Sequence, residues 1–205
     1  MGFLIAVEGI DGAGKTTIAG YIKSVLEDFG FRVDVLKEPG DSKYGRAIKS
    51  AKTRFPPEKE LELFILDRIV DVRENILPRI NACTTVVMDR YYYSNVAYQG
   101  ALGIDPEEIL KKNEEIAPKP DLTVLLDVSP ETALRRISTR KVRTPFEQKE
   151  YLERVRELFL KIDSGEIRVV DAEQPLEKVK EECYYLILDL ISSRGSLFEA
   201  GLRKY

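Results

Sequence analysis

Apolar residues along the chain fall into two alternating regimes. Short runs rich in Val, Ile, Leu and Thr occupy Phe3–Glu8, Arg32–Leu36, Thr84–Asp89, Asp121–Asp127 and Glu166–Asp171. Runs this apolar predict strands covered on both faces. Between them the spacing turns helical. One stretch carries Ile18, Ile22, Val25 and Phe29 at intervals of three and four, then stops at Gly30. Another aligns Leu152, Val155, Phe159 and Ile162 on one stripe before Ser164-Gly165, and the last aligns Leu176, Val179, Cys183, Leu186 and Leu190. Ser129-Pro130 predicts an N-cap with proline at the first helical position. A further helical stretch runs roughly from Glu58 to Ile80.

Strands alternating with helices predict an α/β fold: a doubly wound, five-stranded parallel sheet with helices on both faces. Ligands of such sheets collect beyond the carboxyl ends of the strands. Those ends carry Glu8-Gly9, Lys37-Glu38, Asp89-Arg90, Asp127 and Asp171, which points to one shared site. With no repeat, low-complexity tract or long linker, the 205 residues are expected to form one domain.

Composition narrows the chemistry. A net charge of -3 supplies no global basic field for nucleic acid or an anionic membrane, so any polyanion must be gripped locally. The chain contains no histidine, which excludes Ser-His-Asp hydrolysis, imidazole acid–base catalysis and His-ligated metals. Cys83 and Cys183 sit in apolar segments and read as buried small hydrophobes, a usage that fits a reducing compartment. No signal-peptide pattern or membrane-length apolar run is present, so a cytoplasmic protein is expected.

After the first strand, Gly9 to Thr16 reads G-I-D-G-A-G-K-T, the full P-loop pattern of a P-loop NTPase. Its glycines let backbone N–H groups converge on an anion at a helix N-terminus. Gly9, Ile10, Asp11, Gly12, Ala13, Gly14, Lys15, Thr16 and Thr17 are the candidate nucleotide-binding residues. Lys15 would reach the β- and γ-phosphates of ATP, and the Thr16 hydroxyl would bind Mg2+. The strand T-T-V-V-M-D ends on Asp89, which either supports the metal or pairs with Arg90 or Lys15. Four residues apart, Phe64 and Arg68 share a helix face, where a ring and a guanidinium can hold a planar base.

Asp89 to Gly100 reads D-R-Y-Y-Y-S-N-V-A-Y-Q-G. Together with the P-loop, the E-P-G turn at Glu38–Gly40, L-F-I-L-D-R at Leu63–Arg68 and the stretch from Pro120 to Ile137, it closely resembles the thymidylate kinase family. The resemblance implies phosphorylation of thymidine 5'-monophosphate (dTMP) by ATP with Mg2+, and a homodimer. The apolar Leu61–Val72 segment is compatible with a dimer face and equally with a core helix. Phe64 would stack on thymine, Arg68 would bond a base carbonyl and Arg90 would hold the acceptor phosphate. Glu38 and Pro39 would line the substrate site. Ser94, Asn95 and Gln99 would lie near the base, with Asn95 or Gln99 at its N3 edge. Tyr98 would close the space of a ribose 2'-OH, and Asp11 would approach the sugar 3'-OH or a metal-bound water. Deoxyuridylate is the alternative acceptor. A P-loop GTPase would need an N-K-x-D motif, which is absent.

Two departures from the family pattern matter. The turn reads K-E-P-G-D, so Lys37 offers a point charge in place of a guanidinium fork. Gly12 stands where many members carry an arginine, so the catalytic arginine is expected from a lid near 138–147. Arg143 leads there, then Arg140, with Arg136 one turn earlier. Arg135 is expected to be a solvated surface charge.

Overall fold

The computed structural model describes residues 2–137 and 149–202, with side chains through residue 193. Within them lies one parallel sheet of β1 (Leu4–Glu8), β2 (Arg32–Lys37), β3 (Thr84–Asp89), β4 (Leu122–Asp127) and β5 (Ile167–Asp171), in the order β2-β3-β1-β4-β5. Helices cover both sides. Every residue of β1 is buried, four apolar residues and the terminal Glu8, as befits a central strand. The register aligns Val7 with Asp89 and Glu8 with Leu125, so β1 and β3 end within one residue of each other and β4 runs two residues further, to Asp127. Since β1 leads to β2 past the intervening β3, the crevice opens where the loops after β1 and β3 diverge.

Helix α1 (Lys15–Asp28) buries Ile18, Ile22, Val25 and Leu26 against β2, β3 and α9 (Leu176–Leu202). Each such side chain contributes ~1.5–3 kcal/mol by leaving water. Gly30 follows with φ 83, the left-handed conformation expected at a helix C-terminus. Phe29 is nonetheless exposed, because it falls at the helix end, with the ring of Tyr184 6.4 Å away. Leu176, the first residue of the α9 stripe, is exposed for the same reason.

The stretch predicted from Glu58 to Ile80 is helical but broken. Helix α3 (Pro57–Asp71) passes into a π-helical turn at Val72–Ile76 and then α4 (Leu77–Asn81). Pro78 explains the change: it has no N–H, and its ring would collide with the Glu74 carbonyl in a regular α-helix. The wider turn, in which the Leu77 N–H reaches the Val72 carbonyl, relieves both. Cys83 is exposed, contrary to the burial expected from its apolar surroundings, whereas Cys183 is buried. Cys83 occupies the left-handed turn (φ 60) between α4 and β3, outside the alternation that directs side chains inward.

Two helices had no periodic signal. Helix α2 (Lys43–Ser50) is capped by Ser42 Oγ, which accepts from the N–H groups of Tyr44 and Gly45. Helix α6 (Pro106–Glu114) is capped by Asp105 ahead of a first-position proline. Helix α5 (Tyr92–Gly100) packs against α3, α6 and α8 (Lys149–Lys161). Helix α7 (Pro130–Ile137) begins at Ser129, whose Oγ accepts from the Thr132 N–H at 3.3 Å, as Ser129-Pro130 predicted. The expected lid segment, with Arg140 and Arg143, lies outside the described residues.

Candidate active site

Glycines at φ 140, 91 and 101 (Gly9, Gly12 and Gly14) curl the loop between β1 and α1. At Gly12 the need is steric as well as conformational. A Cβ there would stand 2.4 Å from the carbonyl oxygen of Ala133 on α7. The Lys15 ammonium folds back onto the loop, donating to the Gly9 carbonyl at 3.0 Å and the Ile10 carbonyl at 2.7 Å. Burial, with Arg90 nearby, pushes the Lys15 ammonium down to about 7, against the pull of Asp11, Asp89 and Glu8. A bound polyphosphate would supply the counter-charge this lysine lacks.

At the end of β3, Thr16 Oγ donates to Asp89 Oδ2 at 2.5 Å, and Lys37 Nζ approaches the same oxygen at 2.8 Å. Burial opposes ionisation of Asp89, but Lys37 and Thr16 hold the carboxyl below its ordinary range. Its other oxygen, Oδ1, is buried without a hydrogen-bond partner. A hydroxyl beside a carboxylate with an unsatisfied oxygen fits Mg2+, which takes one or two protein oxygens and completes its shell from phosphates and water. Among the described residues, no three His, Cys, Asp or Glu side chains converge as a metal site of their own.

Arg90 occupies a left-handed conformation (φ 75), unusual for a non-glycine residue. Glu8 supports this corner. Its Oε1 accepts from the N–H groups of Tyr91 at 2.9 Å and Ser94 at 3.0 Å, and its Oε2 accepts from the Ser94 hydroxyl at 2.5 Å. Glu8 thus caps α5 from the neighbouring strand. Burial raises its carboxyl while Ser94 and Arg90 oppose that rise. The Arg90 guanidinium pairs with Asp11 and lies over the Tyr98 ring at 5.1 Å. Burial alone would lower its pKa, but Asp11, Tyr98 and Glu8 hold it raised. Tyr98 Oη accepts from the Asp11 N–H at 2.9 Å.

A cavity of about 400 Å³ is lined by the P-loop, Lys37, Glu38, Pro39, Asp89, Arg90 and Arg136. A second, about 230 Å³ and mostly apolar, adjoins it through Gly14, Thr17 and Arg136 and also includes Ala13, Ala172, Gln174 and Val179. Arg136 borders both, with its guanidinium donating to the Ala172 carbonyl at 2.8 Å. Arg135 is exposed, as expected for a surface charge.

Behind Arg90 lies a buried polar layer. Arg68 grips Glu38 through Nε and Nη2 and donates through Nη1 to Asn95 and Asn113. Burial pushes the Glu38 carboxyl up to about 7 despite Arg68. Asn95 donates to Gln99, and Gln99 donates to Glu60. Phe64 is half-buried on α3, and Ser94 sits with Glu8 and Arg90. Among the sequence-predicted residues, Arg90, Asp11, Lys15, Thr16, Asp89, Glu38 and Pro39 meet at one cavity, while Asn95, Gln99 and Arg68 are buried and do not line it. Sequence reasoning placed Glu8 at a strand end facing the shared site but did not give it a role, and it missed Glu60 and Asn113. Glu8 stands out as an acid ending an apolar run, whereas Glu60 and Asn113 sit among charged neighbours and carry no such local signal.

The sheet order, the P-loop and the cations beside it define a P-loop nucleotide-binding protein built for phosphate chemistry. Residues 7–183 match the family model described as thymidylate kinase. The chain is 60% identical over 179 residues to a probable thymidylate kinase of Archaeoglobus fulgidus, covering 87% of this chain and 91% of that one. It is 39% identical over 206 residues to a thymidylate kinase of Xylella fastidiosa, covering 98% of each. A thymidylate kinase of Xanthomonas euvesicatoria is 40% identical over 198 residues, covering 95% of this chain and 87% of that one. The chain belongs to the thymidylate kinase family.

Proposed function

We propose that the chain transfers the γ-phosphoryl group of ATP to the 5'-phosphate of dTMP, with Mg2+. The observation that carries this reading is two cations facing one cavity, Lys15 from the P-loop and Arg90 from the end of β3. One matches a donor phosphate chain and the other an acceptor phosphate. The acceptor oxygen is already anionic at neutral pH, so the reaction needs alignment and charge neutralisation rather than a general base. A chain without histidine can perform it.

In this reading Lys15 leaves the Gly9 and Ile10 carbonyls for the β- and γ-phosphates. The apolar cavity takes the adenine ring, with the Arg136 guanidinium flat against it. Thr16 and Asp89 hold Mg2+, which when bound neutralises charge on the phosphate oxygens. Arg90, fixed by Asp11 and Glu8, grips the acceptor phosphate. Phe64 and Arg68 hold thymine, Asn95 or Gln99 reads its N3 edge, and the Tyr98 ring fills the 2' position. Arg143 or Arg140 supplies the transition-state cation.

Ile69 and Leu77, both exposed around the π-helical turn, support a homodimer through this face. The enzyme of this reading works in the cytoplasm; among the described residues no helix is long and apolar enough to cross a membrane. The test is ADP release across a panel of nucleoside monophosphates with ATP and Mg2+. The reading predicts dTMP first and dUMP behind it, since one methyl group in an apolar slot is worth ~1–3 kcal/mol. A panel led by a purine or cytosine nucleotide contradicts it.

A further inference from the structure

We propose that Glu60, a residue outside the phosphate cleft, fixes the hydrogen-bond polarity of Asn95 and Gln99 and so excludes 4-amino pyrimidines from the acceptor site. The proposal rests on the thymidylate kinase reading above and concerns how the same site chooses its base.

An unbroken line of buried hydrogen bonds crosses from α3 to α5 and back. Arg68 Nη1 donates to Asn95 Oδ1, Asn95 Nδ2 donates to Gln99 Oε1 at 3.1 Å, and Gln99 Nε2 donates to Glu60 Oε2 at 2.9 Å. Arg68, Asn95, Gln99 and Glu60 are each at most 2% exposed, so no bulk water stands in for a lost partner. An amide can turn over and exchange its donor for its acceptor. The two ends of this line cannot. Arg68 can only donate, and Glu60 as a carboxylate can only accept. If Asn95 turned, its NH2 would face the Arg68 N–H groups. If Gln99 turned, its carbonyl would face the Glu60 carboxylate. The two obligate ends therefore set both amides in one sense.

Glu60 is itself held. Arg54 Nε lies 3.1 Å from both Glu60 oxygens and Arg54 Nη2 lies 2.9 Å from Oε2, a two-toothed grip. Arg54 Nη2 also donates to Tyr151 Oη at 2.7 Å, and the Tyr151 hydroxyl donates to the Tyr98 carbonyl at 2.7 Å. The Arg54 guanidinium stacks on the Tyr151 ring at 4.8 Å. The acceptor end of the line is thus tied to α8 and to the backbone of α5.

The consequence follows from base chemistry. Thymine and uracil present an N3–H donor beside a 4-carbonyl acceptor. Cytosine presents the reverse, an N3 acceptor beside a 4-amino donor. An amide free to turn over would serve either base; an amide held in one sense serves only one. Glu60 never touches the base and acts as a positioning residue.

The experiment compares kcat/KM for dTMP and dCMP, with ATP and Mg2+ saturating, in wild type and Glu60→Gln, with thermal melting to confirm the fold. A glutamine at 60 can donate or accept, so Gln99 is then held in its sense from the Asn95 side alone, at one end instead of two. The dTMP-to-dCMP ratio should fall by ~10-fold or more, the loss expected when a paired polar group becomes interchangeable. The dCMP value itself should hold or rise while KM for ATP stays constant. Arg54→Met, at a less buried position, should lower the ratio as well, and Arg54→Lys should retain more of it; these decide the matter if Glu60→Gln does not fold. An unchanged ratio in the folded variants, or parallel loss with both nucleotides, overturns the proposal. A wild type that fails to prefer dTMP over dCMP overturns instead the reading of base selection on which it rests.

Discussion

The Lys37 ammonium stands 2.8 Å from Asp89 Oδ2, the same oxygen that accepts from the Thr16 hydroxyl. The lysine shares the carboxylate to which Mg2+ is assigned. Although Asp89 is buried, the Lys37 end of the pair is solvent-exposed, which keeps its worth at ~0.2–1 kcal/mol. Lys37→Met should therefore lower the Mg2+ concentration for half-maximal turnover by ~1.5–5-fold at fixed ATP. A magnesium titration in which the variant needs more metal than wild type would show that Lys37 holds phosphate rather than competing with the metal.

Gly12 leaves the P-loop without a side chain between Asp11 and Ala13. At φ 91, and with the Ala133 carbonyl oxygen 2.4 Å from where a Cβ would stand, substitution there strains the backbone and pushes α7 away. Gly12→Ala should cost ~1–3 kcal/mol of stability. Gly12→Arg should lose at least as much and show no gain in turnover. Chemical denaturation and steady-state kinetics on both variants check this; a stable, faster Gly12→Arg enzyme would refute it.

In the proposed function, with no arginine in the loop, the cation for the transferring phosphoryl group comes from 138–147. An arginine finger contributes ~10³–10⁵ in turnover. Arg143→Ala or Arg140→Ala should lower kcat strongly and leave KM for dTMP nearly unchanged. Arg136, which borders both cavities, should act differently: Arg136→Ala should raise KM for ATP more than it lowers kcat. Arg135→Ala is the control and should do little. Turnover within a few-fold of wild type for single and paired Arg140 and Arg143 replacements would end the lid reading.

The five strands and the phosphate cradle were legible in sequence because both depend on local pattern. Apolar runs marked every strand, and G-I-D-G-A-G-K-T specified its own turn. What escaped was set by contacts between distant segments. Nothing local says that Glu8 caps a helix more than eighty residues away, or that Glu60 lies buried against Arg54 and Gln99. Arg68 is a related case. Its position beside Phe64 on one helix face was readable, but its engagement with Glu38, Asn95 and Asn113 depends on three other segments. Cys83 was misread because an apolar neighbourhood in sequence does not reveal a left-handed turn.

Asp71 offers a test of the acidic surface beside α3. Burial raises its carboxyl above the ordinary value of 3.8, with Asp67 adding to the effect and Asn75, Arg68 and Arg79 opposing it. Its Oδ2 is buried without a hydrogen-bond partner. A carboxyl raised in the folded state favours folding below its unfolded value and loses that contribution as pH rises through the folded value. As pH rises, the wild type bears a growing cost of the charge. Asp71→Asn should therefore melt higher than wild type at pH 7, and the difference should vanish below about pH 4. A lower melting point for the variant at pH 7 would mean that the charge has a stabilising partner.

The central claim is phosphoryl transfer to dTMP, and the most direct measurement follows the label. Purified protein is given ATP labelled in the γ-phosphate, Mg2+ and dTMP, and the products are separated. The account predicts label in dTDP in step with ADP formation, and no transfer by Lys15→Ala, which should keep its fold because the Lys15 ammonium bonds to loop carbonyls. Label appearing as inorganic phosphate with dTMP unconsumed, or transfer to dTMP that survives in Lys15→Ala, would contradict it.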